Sequence, residues 1–378
     1  MIKNLLKNKK QILALAPMDG YTDCAFREIV KKYGNPDLLF TEFVNAQGLI
    51  RATDKLVDIL RYTEIQRPIA AQLFGREPEY FYQAALVVCK LGFDGIDINM
   101  GCPAKNIAGK GGGAALIREP ELALDIIKAV KQAVADYRER LSDQNDLVDL
   151  IEKKKKEWNI KEDQSREITI SIKTRTGYDE DITEEWIETL NKVKPDFISL
   201  HARTFKQAYK GEADWGAIKR AVKVSKVPII GNGDVKSFAD AQKMFKQTGC
   251  SGVMIGRGAV GKPSVFRVEE KVGFKSGDIE PAVIFNNSNV SAKGACLRRQ
   301  GPCQEAGKPA SGWKTQISEA GKIVLEHAKL YVEYKGEKRF YEMRKHLMSY
   351  FSGFEGAKKM RVKMSKVNGL KDVARCLS

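Results

Sequence analysis

Gly95-Ile96-Asp97-Ile98-Asn99-Met100 is a strand-length run that stops at Gly101-Cys102-Pro103, where a glycine and a proline end regular structure. Upstream, Glu79–Leu91 has the amphipathic spacing of a helix and follows another strand-like run, Ile69–Phe74. Downstream, Pro120–Val134 is a second helical pattern, opened by a proline in its first turn, and leads to the run Ile168–Lys173. The same alternation extends to both sides, through Ile12–Ala16, Leu38–Glu42, Phe197–His201, Val227–Asn232 and Gly252–Gly256. Eight strands with intervening helices in roughly 250 residues predict an α/β fold of the (β/α)8 type, the TIM barrel. A doubly wound sheet is the alternative, but no glycine-rich dinucleotide turn follows the first strand.

Two segments interrupt the alternation. Residues 140–166 carry Lys153-Lys154-Lys155-Lys156 among many acids and read as a charged, solvated helical insertion before the fifth strand. Residues 272–316 lack periodicity and are rich in Gly, Ser, Asn and Pro, which reads as a linker or irregular segment. Beyond it, Val324, Ala328 and Val332 fall at helical spacing. The expected organisation is a barrel over 1–270, an irregular stretch over 271–316 and a small all-helical C-terminal domain over 317–378.

The 378 residues and 43% hydrophobic content suffice for one large core and a smaller unit. No apolar run is long enough to span a membrane, and the basic stretch Met1 to Gln11 lacks the features of a secretion signal, so a cytoplasmic location is expected. Seven cysteines without CxxC pairs or matching histidines fit neither a disulfide framework nor a zinc site. The net charge of +16 is partly gathered in residues 317–378, where 14 Lys/Arg face 7 Asp/Glu. Such a terminal excess points to a polyanion, most simply nucleic acid; a solubility surface would have the same composition.

Barrel enzymes carry their chemistry at the carboxyl ends of the strands. Here those ends hold Pro17-Met18-Asp19-Gly20, Gln72, Asn99 to Pro103, Lys173, His201 with Arg203, Gly231-Asn232-Gly233-Asp234, and Gly256-Arg257-Gly258. The last two are glycine turns after the seventh and eighth strands, where bare backbone N–H groups and Arg257 suit a phosphate. A lone cysteine is commonly an inert buried thiol, the reading given to Cys89 and Cys250. Cys102 differs, because it ends a strand, is hedged by Gly101 and Pro103, and precedes Gly109-Lys110-Gly111-Gly112-Gly113. His201 is either a satisfied core histidine or a functional one. Lys173 is costly to bury without a partner, and a single electron-rich or anionic group would explain both. Neither has metal-ligand spacing, and no metal is expected.

These motifs resemble the tRNA-dihydrouridine synthase family. The likeness runs through Ala16-Pro17-Met18-Asp19-Gly20-Tyr21-Thr22-Asp23, Gln72-Leu73-Phe74-Gly75, Asp97-Ile98-Asn99-Met100-Gly101-Cys102-Pro103 and Lys110-Gly111-Gly112-Gly113-Ala114. It continues in Lys173-Thr174-Arg175, His201-Ala202-Arg203-Thr204, Gly211-Glu212-Ala213-Asp214-Trp215, Gly231-Asn232-Gly233-Asp234 and Gly256-Arg257-Gly258, and resumes near Met343-Arg344-Lys345-His346. The resemblance implies an FMN-binding barrel followed by a helical tRNA-binding domain, with NADPH as reductant and no membrane, DNA or obligate protein partner.

By that resemblance Pro17, Met18, Gln72, Lys173 and His201 contact the flavin ring and ribityl chain. Asn232, Gly233, Asp234, Gly256 and Arg257 hold the ribityl chain and phosphate. Asn99 faces the substrate uracil, Arg203 contacts the substrate, and Cys102 is the general acid. The family's usual arginine after the His-x-Arg-Thr stretch is Phe205 in this chain. Two other readings compete: a flavin barrel acting on a small pyrimidine, against which the basic tail argues, and an inactive RNA-binding barrel, against which Cys102, Lys173 and His201 argue.

Overall fold

The eight runs form parallel strands β1 (Ile12–Leu15), β2 (Leu39–Asn45), β3 (Ile69–Phe74), β4 (Gly95–Met100), β5 (Thr169–Arg175), β6 (Phe197–His201), β7 (Ile229–Asn232) and β8 (Gly252–Ile255). The computed structural model describes residues 1–9, 11–51, 54–139, 147–161, 163, 166–267 and 312–378. Strand order is β1-β8-β7-β6-β5-β4-β3-β2. The Ala14–Leu38 bridge and the Leu15 N–H to Leu38 O bond of 3.0 Å join β1 to β2 and close the (β/α)8 barrel. Helices Pro78–Lys90 and Pro120–Arg138 both start on proline, whose missing N–H costs nothing there.

Period-two alternation divides each strand between two cores. In β4, Ile96, Ile98 and Met100 belong to the large cluster shared with the surrounding helices. Asp97 and Asn99 alternate with them and bond across the strands to Gln72 of β3. Deeper inside, Ala14, Phe40, Ala70, Phe197, Ile230 and Met254 form an inner cluster.

Ile2 completes that inner cluster, with Leu5 and Leu6 packed against it. The stretch read only as a basic N-terminus is therefore helix Ile2–Asn8, which stoppers one end of the barrel. Gly95 leaves room for it, since a Cβ there would lie 3.0 Å from Ile2 Cδ1 and 2.5 Å from Thr169 Oγ1. The charged insertion also departs from expectation. Helix Val148–Trp158 buries Ile151 and Trp158, and Lys154 is only 3% exposed, bonded to Asp58 at 2.6 Å and Glu157 at 3.3 Å. Residues 140–146 lie outside the described residues.

The chain divides into units Met1–Glu270 and Lys271–Ser378. Most of the stretch read as irregular lies outside the described residues, but helix Gly312–Lys335 begins inside it. In the second unit this helix is followed by Arg344–Ser349, Ala357–Met364 and Leu370–Leu377. Val324, Ala328 and Tyr331 are buried with Phe340, Leu347 and Phe351, which gives this unit a core of its own. Among the described residues no helix is long and apolar enough to cross a membrane.

Candidate active site

The carboxyl ends of the strands open into a cleft of about 1350 Å³. That exceeds the roughly 300–1,000 Å³ of common small-molecule sites. Pro17, Met18, Gln72, Asn99, Cys102, Lys173 and His201 all line it, as do Arg203, Asn232, Gly233, Asp234, Gly256 and Arg257. Every site residue expected from the sequence is thus gathered in one cavity. Arg175 and Tyr209 line it too and were not singled out. Arg175 was findable, because it sits two residues beyond Lys173 on β5. Tyr209 lies in an irregular loop that offers no periodicity to read.

Cys102 is fixed through its backbone. Asn99 Oδ1 accepts the N–H groups of Gly101 at 3.1 Å and Cys102 at 2.9 Å. Asn99 Nδ2 donates to Gln72 Oε1 at 3.0 Å, and Gln72 Nε2 donates to Asp97 at 2.6 Å. Asp97 also accepts from Ser171 Oγ, and burial pushes its carboxyl up to about 6. Behind Cys102 the chain needs glycine at 113, where φ is +60° and a Cβ would stand 3.2 Å from Cys102 Cβ. The Cys102 thiol is half-buried. Burial raises its pKa above the ordinary thiol value, outweighing the Ala104 N–H, Lys173 and Arg175, which lower it. At neutral pH it therefore holds its proton.

The facing wall is cationic. Burial, then Arg175, lowers Lys173 to about 8, so its ammonium is still charged at neutral pH. The Lys173 ammonium makes no hydrogen bond or ion pair among the described residues. Burial, reinforced by Lys173, Arg175, Arg203 and Arg257, holds His201 far below its ordinary value of 6.5, and its imidazole is neutral. Arg175 donates from Nε to the carbonyl of Gly101 at 2.7 Å and from Nη1 to those of Thr204 at 2.9 Å and Ala208 at 3.0 Å. It therefore ties the Cys102 loop to the loop after β6.

Beyond them lie the two glycine turns. Asp234, with φ +55°, accepts from Arg203 at 2.6 Å and from the Ala213 N–H at 2.8 Å, and lies 3.8 Å from Arg257. Burial raises its pKa, but Arg203, the Ala213 N–H and Arg257 outweigh that and keep Asp234 ionised. Its carboxylate consequently holds the two arginines in place. Arg203 spends further donors on the Lys210 and Gly211 carbonyls, and its buried Nη1 has no partner among the described residues. Asn232 Nδ2 donates to the Met254 carbonyl at 2.7 Å. Gly233 has φ +130°, and a Cβ there would come within 2.7 Å of Ala213 Cβ. No hydrogen bond from the backbone N–H of Asp234, Arg257 or Gly258 is found among the described residues. Unfilled donors beside two arginines are what an anion needs. The exposed ring of Tyr209 lies 4.9 Å from the Arg257 guanidinium.

A closed parallel barrel whose mouth combines a protonated thiol, a neutral imidazole, a buried ammonium and an anion cradle is a (β/α)8-barrel enzyme. The dihydrouridine synthase (Dus) family model matches residues 14–139 and 149–378. A probable tRNA-dihydrouridine synthase of Aquifex aeolicus is 34% identical over 299 residues, covering 79% of this chain and 84% of that protein. Probable tRNA-dihydrouridine synthase 1 of Synechocystis sp. is 28% identical over 94% of this chain and 82% of its own length. Probable tRNA-dihydrouridine synthase 2 of Bacillus subtilis is 32% identical over 69% of this chain and 73% of its own length. The chain belongs to the dihydrouridine synthase family.

Proposed function

We propose that this chain reduces the C5=C6 bond of particular uridines in tRNA to 5,6-dihydrouridine, with FMN bound in the barrel mouth and NADPH as reductant. The observation that carries the proposal is the pairing, in one cleft, of a proton-bearing Cys102 with a cationic wall whose donors are unfilled.

The residues present fit a flavin mononucleotide. Arg257 and the open N–H groups of Asp234, Arg257 and Gly258 suit its phosphate. Pro17, Met18, Gln72, Lys173 and His201 would hold the ring system and ribityl chain, with Asn232, Gly233, Asp234 and Gly256 completing the cradle. When bound, the flavin supplies the hydride that uracil C6 accepts.

Hydride at C6 leaves electron density on C5 and O4. The Cys102 thiol then gives its proton to C5, and the Cys102 sulfur is left as a thiolate. Lys173 and Arg175 stabilise that thiolate by charge, although burial keeps the resting thiol protonated. Proton uptake from solvent restores Cys102. In this reading Asn99 faces the uracil and Arg203 contacts the substrate.

A uracil within a folded RNA is stacked and must leave its stack to enter such a cleft. Binding to phosphates by the basic unit, where 14 Lys/Arg face 7 Asp/Glu over residues 317–378, supplies the grip. The chain works in the cytoplasm, where its cysteines stay reduced, and needs no second protein.

Purified protein should carry a flavin absorbance band and, given NADPH, form dihydrouridine in tRNA, detected by nucleoside mass spectrometry. Protein that binds no flavin, or that converts free uridine as well as tRNA, would overturn the proposal.

A further inference from the structure

Two polar residues of the barrel interior, Asp97 and Ser171, have no part in the chemistry above. Asp97 is fully buried, Ser171 is 1% exposed, and neither lines the cleft. An acid buried inside a strand is expensive unless its bonds are complete and serve a purpose. Asp97 has those bonds, to Ser171 Oγ on one side and Gln72 Nε2 on the other.

We infer that Asp97 is a positioning residue for Cys102, acting through the side-chain amides of Gln72 and Asn99. The inference rests on reading Cys102 as the proton donor, but the relay itself stands on the hydrogen bonds that join Asp97, Gln72, Asn99 and the Gly101–Cys102 backbone.

A side-chain amide has a donor end and an acceptor end of nearly equal size, and nothing intrinsic decides which way it points. Here both ends of the chain of bonds decide it. The backbone N–H groups of Gly101 and Cys102 can only donate, so Asn99 must turn its oxygen toward them. That turns the Asn99 NH2 toward Gln72, which must answer with its own oxygen. The Gln72 NH2 then needs an acceptor, and an ionised carboxylate accepts without being able to donate. Burial brings the Asp97 carboxyl only to about 6, so it is mostly ionised at neutral pH and keeps that role.

With Asp97 in place, one orientation of both amides satisfies every bond. Without it, nothing holds the Gln72 amide in that orientation, and a turned Gln72 points its NH2 at the Asn99 NH2. Asn99 then loses the bond that braces it, and its hold on the Gly101–Cys102 backbone loosens. The thiol is carried by that backbone, so its aim is set two side chains away.

The test is amide hydrogen exchange of the full chain at Gly101 and Cys102, with the β6 amides as an internal control. Asp97→Ala should speed exchange at Gly101 and Cys102 on the order of tenfold and leave β6 unchanged. Gln72→Met keeps the length of the side chain but passes no bond on, and should give the same increase. The double variant should be no faster than either single variant, because both cut one relay. Unchanged protection in the single variants, or fully additive losses in the double, overturns the inference. If Asp97→Ala does not fold, Gln72→Met decides the matter alone.

A second readout separates aiming from mere structure. Asp97→Ala should slow single-turnover reduction of uridine in tRNA while leaving flavin content and flavin reduction by NADPH within about twofold. Equal loss in both half-reactions overturns the positioning role. Should the wild-type chain reduce no uridine at all, the proposed function fails and the exchange measurement still decides the relay.

Discussion

Lys173→Met should make the cofactor-free protein more stable, not less. The Lys173 ammonium has no hydrogen bond or ion pair among the described residues, and its pKa falls from 10.5 to about 8, chiefly by burial and then by Arg175. At about 1.36 kcal/mol per tenfold, that lowering amounts to at most about 3 kcal/mol of cost for holding the ammonium in the empty cleft. Lys173 is only partly buried, so about 1–3 kcal/mol is the range to look for. The sign follows from proton counting. Below pH 8 the lysine is charged in both folded and unfolded chains, and the cost is fully present. Between about 8 and 10.5 the unfolded chain binds more protons than the folded one, so wild-type stability rises with pH. Methionine removes the charge and keeps most of the stem. The advantage of Lys173→Met in urea unfolding of flavin-free protein should therefore be largest at pH 7 and shrink toward pH 10.5. A less stable variant, or an advantage indifferent to pH, would refute the reading of Lys173 as a charge held ready for a ligand.

Three further outcomes are expected. The rate of uridine reduction should hold through neutral pH and fall only above the ordinary thiol range, because burial raises the Cys102 pKa and the donor must be protonated; a fall centred near pH 7 in single-turnover rates would contradict this. Gly233→Ala should weaken flavin retention on dialysis at least tenfold, since φ is +130° and the new Cβ would meet Ala213 Cβ at 2.7 Å; full retention would remove Gly233 from the cradle. Ile2→Ala should destabilise the protein by about 2–5 kcal/mol in urea or thermal unfolding, because it empties a fully buried position at the barrel stopper; a loss under 0.5 kcal/mol would show that the N-terminal helix is dispensable.

The barrel was legible because its strands are short, apolar and regularly interleaved with amphipathic helices, and the structure moves the strand ends by only a few residues. Gathering the site was legible for a related reason: a strand end is a fixed address in this fold, so Gln72, Cys102, Lys173 and His201 could be placed in one mouth before any contact was known. What the sequence hid is where burial runs against composition. Ile2 sits among lysines, and only the closed floor of the barrel reveals that it is a core residue. Lys154 belongs to a run of four lysines, yet it alone turns inward to Asp58 and Glu157, and a charge run carries no mark of which member is buried. Arg203 was assigned to the substrate from a motif. Its bonds to Asp234, Lys210 and Gly211 also give it a part in holding the loop, which no spacing rule conveys. Asp97 was one letter in a matching motif until its bonds showed a direction.

The central claim is that Cys102 gives a proton to the uracil ring. Mixing pre-reduced protein with tRNA in a single turnover tests it most directly, comparing wild type with Cys102→Ala after confirming equal flavin content. Dihydrouridine should form rapidly with wild type and about 10²–10⁴-fold more slowly with the variant, while both are reduced by NADPH at the same rate. Equal rates of dihydrouridine formation would contradict the account.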